Sequence, residues 1–191
     1  VQKKIINLLE VIVITFNSKI LRAAQLFQGK DDVRKNLNGI AIYNKEVTGS
    51  DGSTAVHMKL ENETQFNGVV FISSKIPTTA ITSEFDNGTV IHKDAKGVEK
   101  ARSGYIYEEI EKNKFNIKNI MPEKLEPPKE MVVFQPSFLK RIGEAFPQPK
   151  KGRCLARLEH YAGGKSPIIF TVKTSEITSC EPIIIIMPIV E

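Results

Sequence analysis

The chain has little with which to do covalent chemistry. Its 191 residues hold two cysteines and three histidines. Cys154 and Cys180 lie 26 positions apart, a separation that matches no zinc-binding spacing. Both fall in strand-like segments and read as buried, reduced thiols, which fits a cytoplasmic setting. His57, His92 and His160 show no ligand spacing and no companion nucleophile motif, and no oxyanion or base arrangement accompanies Cys154 and His160. Gly163-Gly164-Lys165-Ser166 ends like a phosphate loop, but the required upstream glycine is replaced by Glu159. Asp31-Asp32, beside Lys30 and Arg34, reads as a solvated loop pair rather than a metal pair. The expectation is a protein that is not an enzyme, with no cofactor and no metal.

Long apolar runs are missing as well. The longest near the start, Val11 to Ile14, is far short of the roughly 20 residues a spanning helix needs. Glu10 interrupts that stretch and no cleavage site follows, which argues against a signal peptide. The chain opens on Val1, so the native start is expected to be missing or processed. What is present is ordinary for a soluble globular protein: 41% hydrophobic and 26% charged residues, enough for a real core. The net charge of +5 permits polyanion binding without requiring it.

Residues 12–16 are β-branched and aromatic and predict a strand. Ser18 is placed to cap a helix, with Ile20, Leu21, Ala24 and Phe27 on one stripe and Lys19 and Arg22 off it. Gly29 ends it. Strands are expected at 39–43, 46–48 and 54–60, punctuated by Asn44-Lys45 and by the turn residues Ser50-Asp51-Gly52. A second unit is expected from Val69 to Pro122, with a strand at 69–73, a short helix within 76–85, a hairpin at Asp86-Asn87-Gly88, and strands at 89–92, 101–107 and 115–120. Residues 124–130 hold two prolines and read as a linker. The opening order then recurs. A strand at 131–134 precedes a helix opened by Pro136 and Ser137, with Phe138, Leu139, Ile142 and Phe146 apolar and Lys140 and Arg141 basic. Strands follow at 153–159, 166–173 and 182–188. The expected organisation is a domain over 1–123 holding two strand-helix-strands units, the linker 124–130, and a half domain over 131–191.

Several segments carry a resemblance. NLNG (Asn36–Gly39), SDGSTAV (Ser50–Val56), NKFNIKNIMP (Asn113–Pro122), MVVFQPSFLKRIGEAF (Met131–Phe146) and the closing IIIIMPIVE (Ile183–Glu191) resemble, in that order, the sliding clamp of bacterial replication, the DNA polymerase III beta subunit. The chain is similar to about one and a half of that family's three domains. The resemblance implies an α+β DNA-clamp fold with antiparallel sheets outside and basic helices inside. It implies a replication accessory that meets duplex DNA non-specifically and docks polymerase or other partner peptides in a hydrophobic cleft. The matching DNA-binding candidates are Lys19, Arg22, Arg34, Lys35, Lys140 and Arg141, with Lys30 on the same loop as Arg34. The matching cleft candidates are Ser50, Gly52, Ser53, Thr54, Ala55, Pro122, Gln135, Phe138, Ile168, Met187, Pro188, Ile189 and Val190.

Two departures bear on the cleft. Ser53-Thr54-Ala55 stands where the family has His-Arg-Leu, and the tail ends Val190-Glu191 where the family ends Arg-Leu. Both fit a pocket that is shallower, differently selective or not used. The basic residues also fit a solvated helix surface, and Ile183–Ile186 also fits a buried central strand. Three strand-helix-strands units per chain would close a twelve-unit ring as a tetramer; a dimer is the other expected assembly. The alternative reading is a phage or mobile-element regulator that binds a host clamp or its partners without encircling DNA.

Overall fold

The computed structural model describes residues 13–111, 121–125, 127, 136–147, 154–161, 166–173 and 182–187. Within them the chain runs β1 (Ile14–Asn17), α1 (Ser18–Phe27), a 3-10 turn (Lys35–Asn38), β2 (Ile40–Tyr43), β3 (Glu46–Ser50), β4 (Thr54–Lys59), β5 (Asn67–Ile72), β6 (Thr82–Asp86), β7 (Thr89–Lys93), β8 (Glu99–Glu109), α2 (Pro136–Ala145), β9 (Leu155–His160), β10 (Ile168–Lys173) and β11 (Ile183–Ile186). The expected strands at 115–120 and 131–134, and Cys180, lie outside the described residues. Cys154 is half-buried and packed against the core.

The described strands join in the order β1-β6-β7-β8-β5-β2-β3-β4-β11-β10-β9, antiparallel throughout. Two joints hold this series together. β8 is long enough to serve two neighbours: residues up to Gly104 pair with β7, and Tyr105 to Glu109 pair with β5. At the other joint β11 slots beside β4, with Ile184 opposite Val56 and Ile186 opposite Thr54. The C-terminal strands thereby extend the sheet that the N-terminal strands begin.

Strand alternation assigns each side chain to a face. Ile40, Ile42, Val47, Val56, Met58, Ile184 and Ile186 join the main core beneath the helices. Their neighbours Ala41 and Tyr43 pack on the other face with Leu37 and Val69, and Ala55 and Ile185 form a third cluster there. The four-isoleucine run is therefore a central strand covered on both sides at Ile184, Ile185 and Ile186. An aromatic knot closes the β1–β6 end, with Phe85 edge-on to Phe16 at 5.3 Å and to Tyr105 at 4.8 Å.

Helix α1 starts one residue earlier in its capping than expected. Asn17, not Ser18, accepts the bond from the Lys19 amide, at 2.9 Å. Ser18 is buried, and its hydroxyl is spent on Ser83. The apolar stripe Ile20, Leu21, Ala24 and Phe27 is buried as its spacing predicts. It lies on β3 and β4, so closely that a Cβ added at Gly49 would stand 1.9 Å from the Ala24 carbonyl oxygen. Helix α2 packs against α1 and buries Ile142 and Ala145, but Leu139 is 51% exposed and lies off the expected apolar stripe.

One expected element is absent. The segment 76–85 forms no helix; Thr82–Asp86 is strand β6, paired on one side with β1 and on the other with β7. Its threonines, together with a hairpin turn that puts Asn87 at φ 41° and Gly88 at φ 77°, favour extended backbone. The described residues hold two α-helices, and the arithmetic of three units per chain loses its basis.

His92 sits fully buried at this end. Its Nδ1 lies 2.8 Å from Ser83 Oγ, which lies 2.6 Å from Ser18 Oγ, so the ring ties the start of α1 to β6 and β7. Burial pushes the imidazole pKa below its usual 6.5.

Two outcomes are expected. Gly49→Ala should destabilise the fold by about 3 kcal/mol in urea unfolding, because α1 must lift from β3. Because the folded state keeps His92 neutral, its contribution is present above the unfolded pKa and lost as pH falls towards the folded one. Unfolding free energy should decline from pH 7 to pH 5, by up to about 1.4 kcal/mol per pH unit. His92→Gln should remove that part of the slope.

Candidate nucleic-acid interface and peptide cleft

A groove of about 840 Å³ opens where α1, α2 and the loop after β5 meet. Its cationic lining residues are Arg22, Lys30, Lys75, Lys140 and Arg141; its acidic ones are Asp51 and Glu144. Gln25 braces the loop, accepting from the Ile76 amide at 2.9 Å and donating to the Ser74 carbonyl at 2.8 Å. Both acids have cationic partners. Glu144 stands 3.8 Å from Lys140 one helical turn away, and Asp51 bonds Arg141. Five cations against two acids leave the lining net positive, and the described lining residues include no aromatic ring on which a base could stack.

Arg141 is the best-anchored of these cations. Its Nη1 donates to Asp51 Oδ2 at 2.5 Å and to Thr54 Oγ1 at 2.7 Å, and its guanidinium lies 5.6 Å from the centre of the Phe27 ring. Asp51 in turn organises the turn between β3 and β4. Its Oδ1 accepts from the Ser53 amide at 2.9 Å, the Thr54 amide at 2.7 Å and the Thr54 hydroxyl at 3.0 Å. Burial alone would raise the Asp51 pKa; the bonds from Arg141, Thr54 and Ser53 outweigh it and hold the carboxyl below the usual value.

The six DNA-binding candidates separate. Arg22, Lys140 and Arg141 line the groove; Lys19, Arg34 and Lys35 do not. Arg22 is drawn into the fold at 7% exposure, with Nη1 donating to the Thr78 carbonyl at 2.9 Å. Arg34 forks onto Asp32 through Nε and Nη2, both at 3.0 Å, which raises its pKa and lowers that of Asp32. Lys140 is open, its side chain 78% exposed. Lys75 carries no sequence signal: it follows two serines in a loop with no periodicity, and only the packing of Gln25 brings it beside the helices.

The cleft candidates separate too, and the sheet is what divides them. Ala55 and Met187 gather on the face away from the helices, with Ile183, Ile185 and Met121, the neighbour of Pro122. Ile168 and Phe138 pack into the main core on the helix side. Ser50, Gly52, Ser53 and Thr54 form the turn between the faces; Ser50 Oγ donates to the Thr54 carbonyl and accepts from the Gly52 amide. The Met187 amide donates to the Ser53 carbonyl at 2.7 Å, which fixes the end of β11 to that turn. Gln135, Pro188, Ile189 and Val190 lie outside the described residues. No helix of the described residues is long and apolar enough to cross a membrane, and no cluster of three metal-ligating side chains occurs among them.

Asp51→Asn should cost about 2 kcal/mol of stability at pH 7, the scale of hydrogen bonds to a charged group. Since the folded pKa is depressed, the contribution is present above the unfolded pKa and lost as pH falls through the folded one. The gap between wild type and variant should close in urea titrations below about pH 4.

No family model matches the chain, and no curated protein does. Among solved structures it is similar to the crystal structure of a provisionally assigned DNA polymerase III beta subunit from Eubacterium rectale ATCC 33656. The TM-score is 0.52 at 12% identity, over 93% of this chain and 65% of that one. The chain thus spans under two thirds of that protein's length. The likeness is one of fold: the sheet-rich architecture, with two helices among the described residues, resembles that structure.

Proposed function

We propose that this chain is a clamp-type accessory of DNA replication that meets duplex DNA through the groove between α1 and α2. The observation that carries the reading is the groove's charge, five cations against two acids that both have cationic partners, on the helix side of a clamp-type sheet. Such a surface suits the phosphate backbone. It offers mainly cationic side chains and, among the described residues, no aromatic ring for base stacking, which favours sequence-independent binding driven by counterion release. In this reading the helices face DNA and the sheet faces outward. The second surface, where the half-buried Ile183 and Met187 flank the buried Ala55 and Ile185, is apolar and suits the apolar anchors of a partner's short peptide. The chain itself does no covalent chemistry and works in the cytoplasm. Retention by encirclement requires a homo-oligomeric ring, because a closed ring holds DNA kinetically rather than by site affinity.

A specific observation favours a second reading. Arg22, Arg34 and Arg141, half of the six predicted DNA contacts, are engaged by the fold itself. A clamp-like chain with that few open cations would act as a regulator that binds a host clamp or its partners and never surrounds DNA. Retention on circular but not linearised plasmid separates the two readings, with light scattering to give the solution mass. A ring-sized oligomer retained on circles supports the first. A monomer that leaves both DNA forms alike supports the second.

Within the first reading, replacing Lys30, Lys75 and Lys140 by glutamine should weaken binding to every duplex sequence equally. The slope of log affinity against log salt should fall by up to about 0.9 for each phosphate that is no longer neutralised. All three lysines are exposed, so the melting temperature should stay within a degree or two of wild type. An unchanged salt slope would remove the groove as the DNA face.

A further inference from the structure

We propose that Arg141 is shared between Asp51 and a DNA phosphate in the groove, so that the two surfaces are coupled: duplex on the helix face loosens the opposite face at Met187. The inference rests on the groove being the DNA face. Arg141 and Asp51 both line it, and in the unbound protein each is the other's charged partner. A phosphate arriving there meets an ion pair rather than a free cation. If Arg141 turns to the phosphate, Asp51 loses its bonded cation and stands beside an anion, keeping only the Ser53 and Thr54 bonds and the field of Arg34. If Arg141 stays, the anion gains little from it and is repelled by Asp51. Binding of the phosphate and integrity of the ion pair therefore oppose each other.

What Asp51 loses is transmitted by covalent geometry. The same carboxylate shapes the turn through the Ser53 and Thr54 amides and the Thr54 hydroxyl. The Ser53 carbonyl, in the middle of that turn, accepts the Met187 amide. The turn has little slack elsewhere. Gly52 holds φ at 86°, and a Cβ there would stand 2.4 Å from Arg34 Nη2, itself pinned by Asp32. The turn is thus braced by one arginine on each side, and only Arg141 faces the groove. Withdrawing it frees the segment that positions Met187. By linkage the effect is reciprocal: a ligand that tightens the Met187 face weakens DNA binding by the same factor.

The test is amide hydrogen exchange of the full chain at Met187 and Thr54, read by NMR with and without a saturating short mixed-sequence duplex at low salt. Exchange at Met187 should speed up by about tenfold on binding, within the usual range of coupling between sites. Asp51→Asn should bind the duplex more tightly than wild type, exchange quickly at Met187 without DNA, and show no further change with it. Duplex that binds while Met187 exchange stays constant overturns the coupling and leaves the groove reading standing. Failure of the duplex to bind at low salt overturns both. The wild-type comparison decides the matter even if the variant does not fold.

Discussion

One guanidinium holds distant parts of this chain in register. Arg141 bonds Asp51 and Thr54 across 90 and 87 residues of sequence and lies over the ring of Phe27. It therefore ties α2 to the β3–β4 turn and to α1 at once. A half-buried arginine costs solvation on folding, and the compensation is local: a carboxylate, a hydroxyl and an aromatic face. The carboxylate in its turn is satisfied by backbone amides that would otherwise lack partners at the turn. Removing any member leaves another polar group uncompensated. The register of β4 against β11, and with it the joining of the N-terminal and C-terminal strands into one sheet, sits directly downstream of that turn.

The sheet imposes the second constraint. With a side-chain period of two, consecutive residues of one strand cannot serve the same surface. Thr54 faces the helices and bonds Arg141, while Ala55 faces away and packs with Ile185. Residues contiguous in SDGSTAV are thus divided between a polar tie and an apolar patch. Among the described residues the apolar cleft candidates Phe138 and Ile168 lie in the core and Ala55 and Met187 on the far face, with the Ser50–Thr54 turn between them.

Much of the architecture is legible in the sequence for identifiable reasons. Helix α1 follows from its stripe at helical spacing, α2 from Pro136 and Ser137 at its start, and the β6–β7 hairpin from Asn87-Gly88, whose left-handed backbone few other residues accept. The expected helix over 76–85 falls where periodicity is weak: the threonines and the hairpin to β7 already favour extended backbone, and pairing with β1, almost seventy residues away, completes the strand. At the site the basic residue types are legible and their freedom is not. Nothing local marks Arg22 as buried beneath Thr78, Arg141 as bound to Asp51, or Lys75 as a neighbour of α1. Charge can be counted from a sequence, but available charge depends on pairings that only the fold creates.

That difference bears on how the proposed DNA-contacting function could use so modest a surface. Of the five groove cations, Arg22 and Arg141 are engaged by the fold, and Lys140 has a distant acidic partner in Glu144. A site of this kind holds few phosphates strongly, and the contribution of each falls as salt rises. As an isolated binder it would be weak at physiological ionic strength. Weakness is acceptable only where something other than site affinity keeps protein and DNA together, and it is then an advantage, since a tight grip would halt sliding. A ring supplies that retention and an open chain does not. Under the proposed DNA reading, the sparse charge of the groove and the closure of a ring are therefore linked requirements: without assembly around DNA the groove as built is too weakly charged to hold a duplex for long, and the proposed peptide face would be the principal surface.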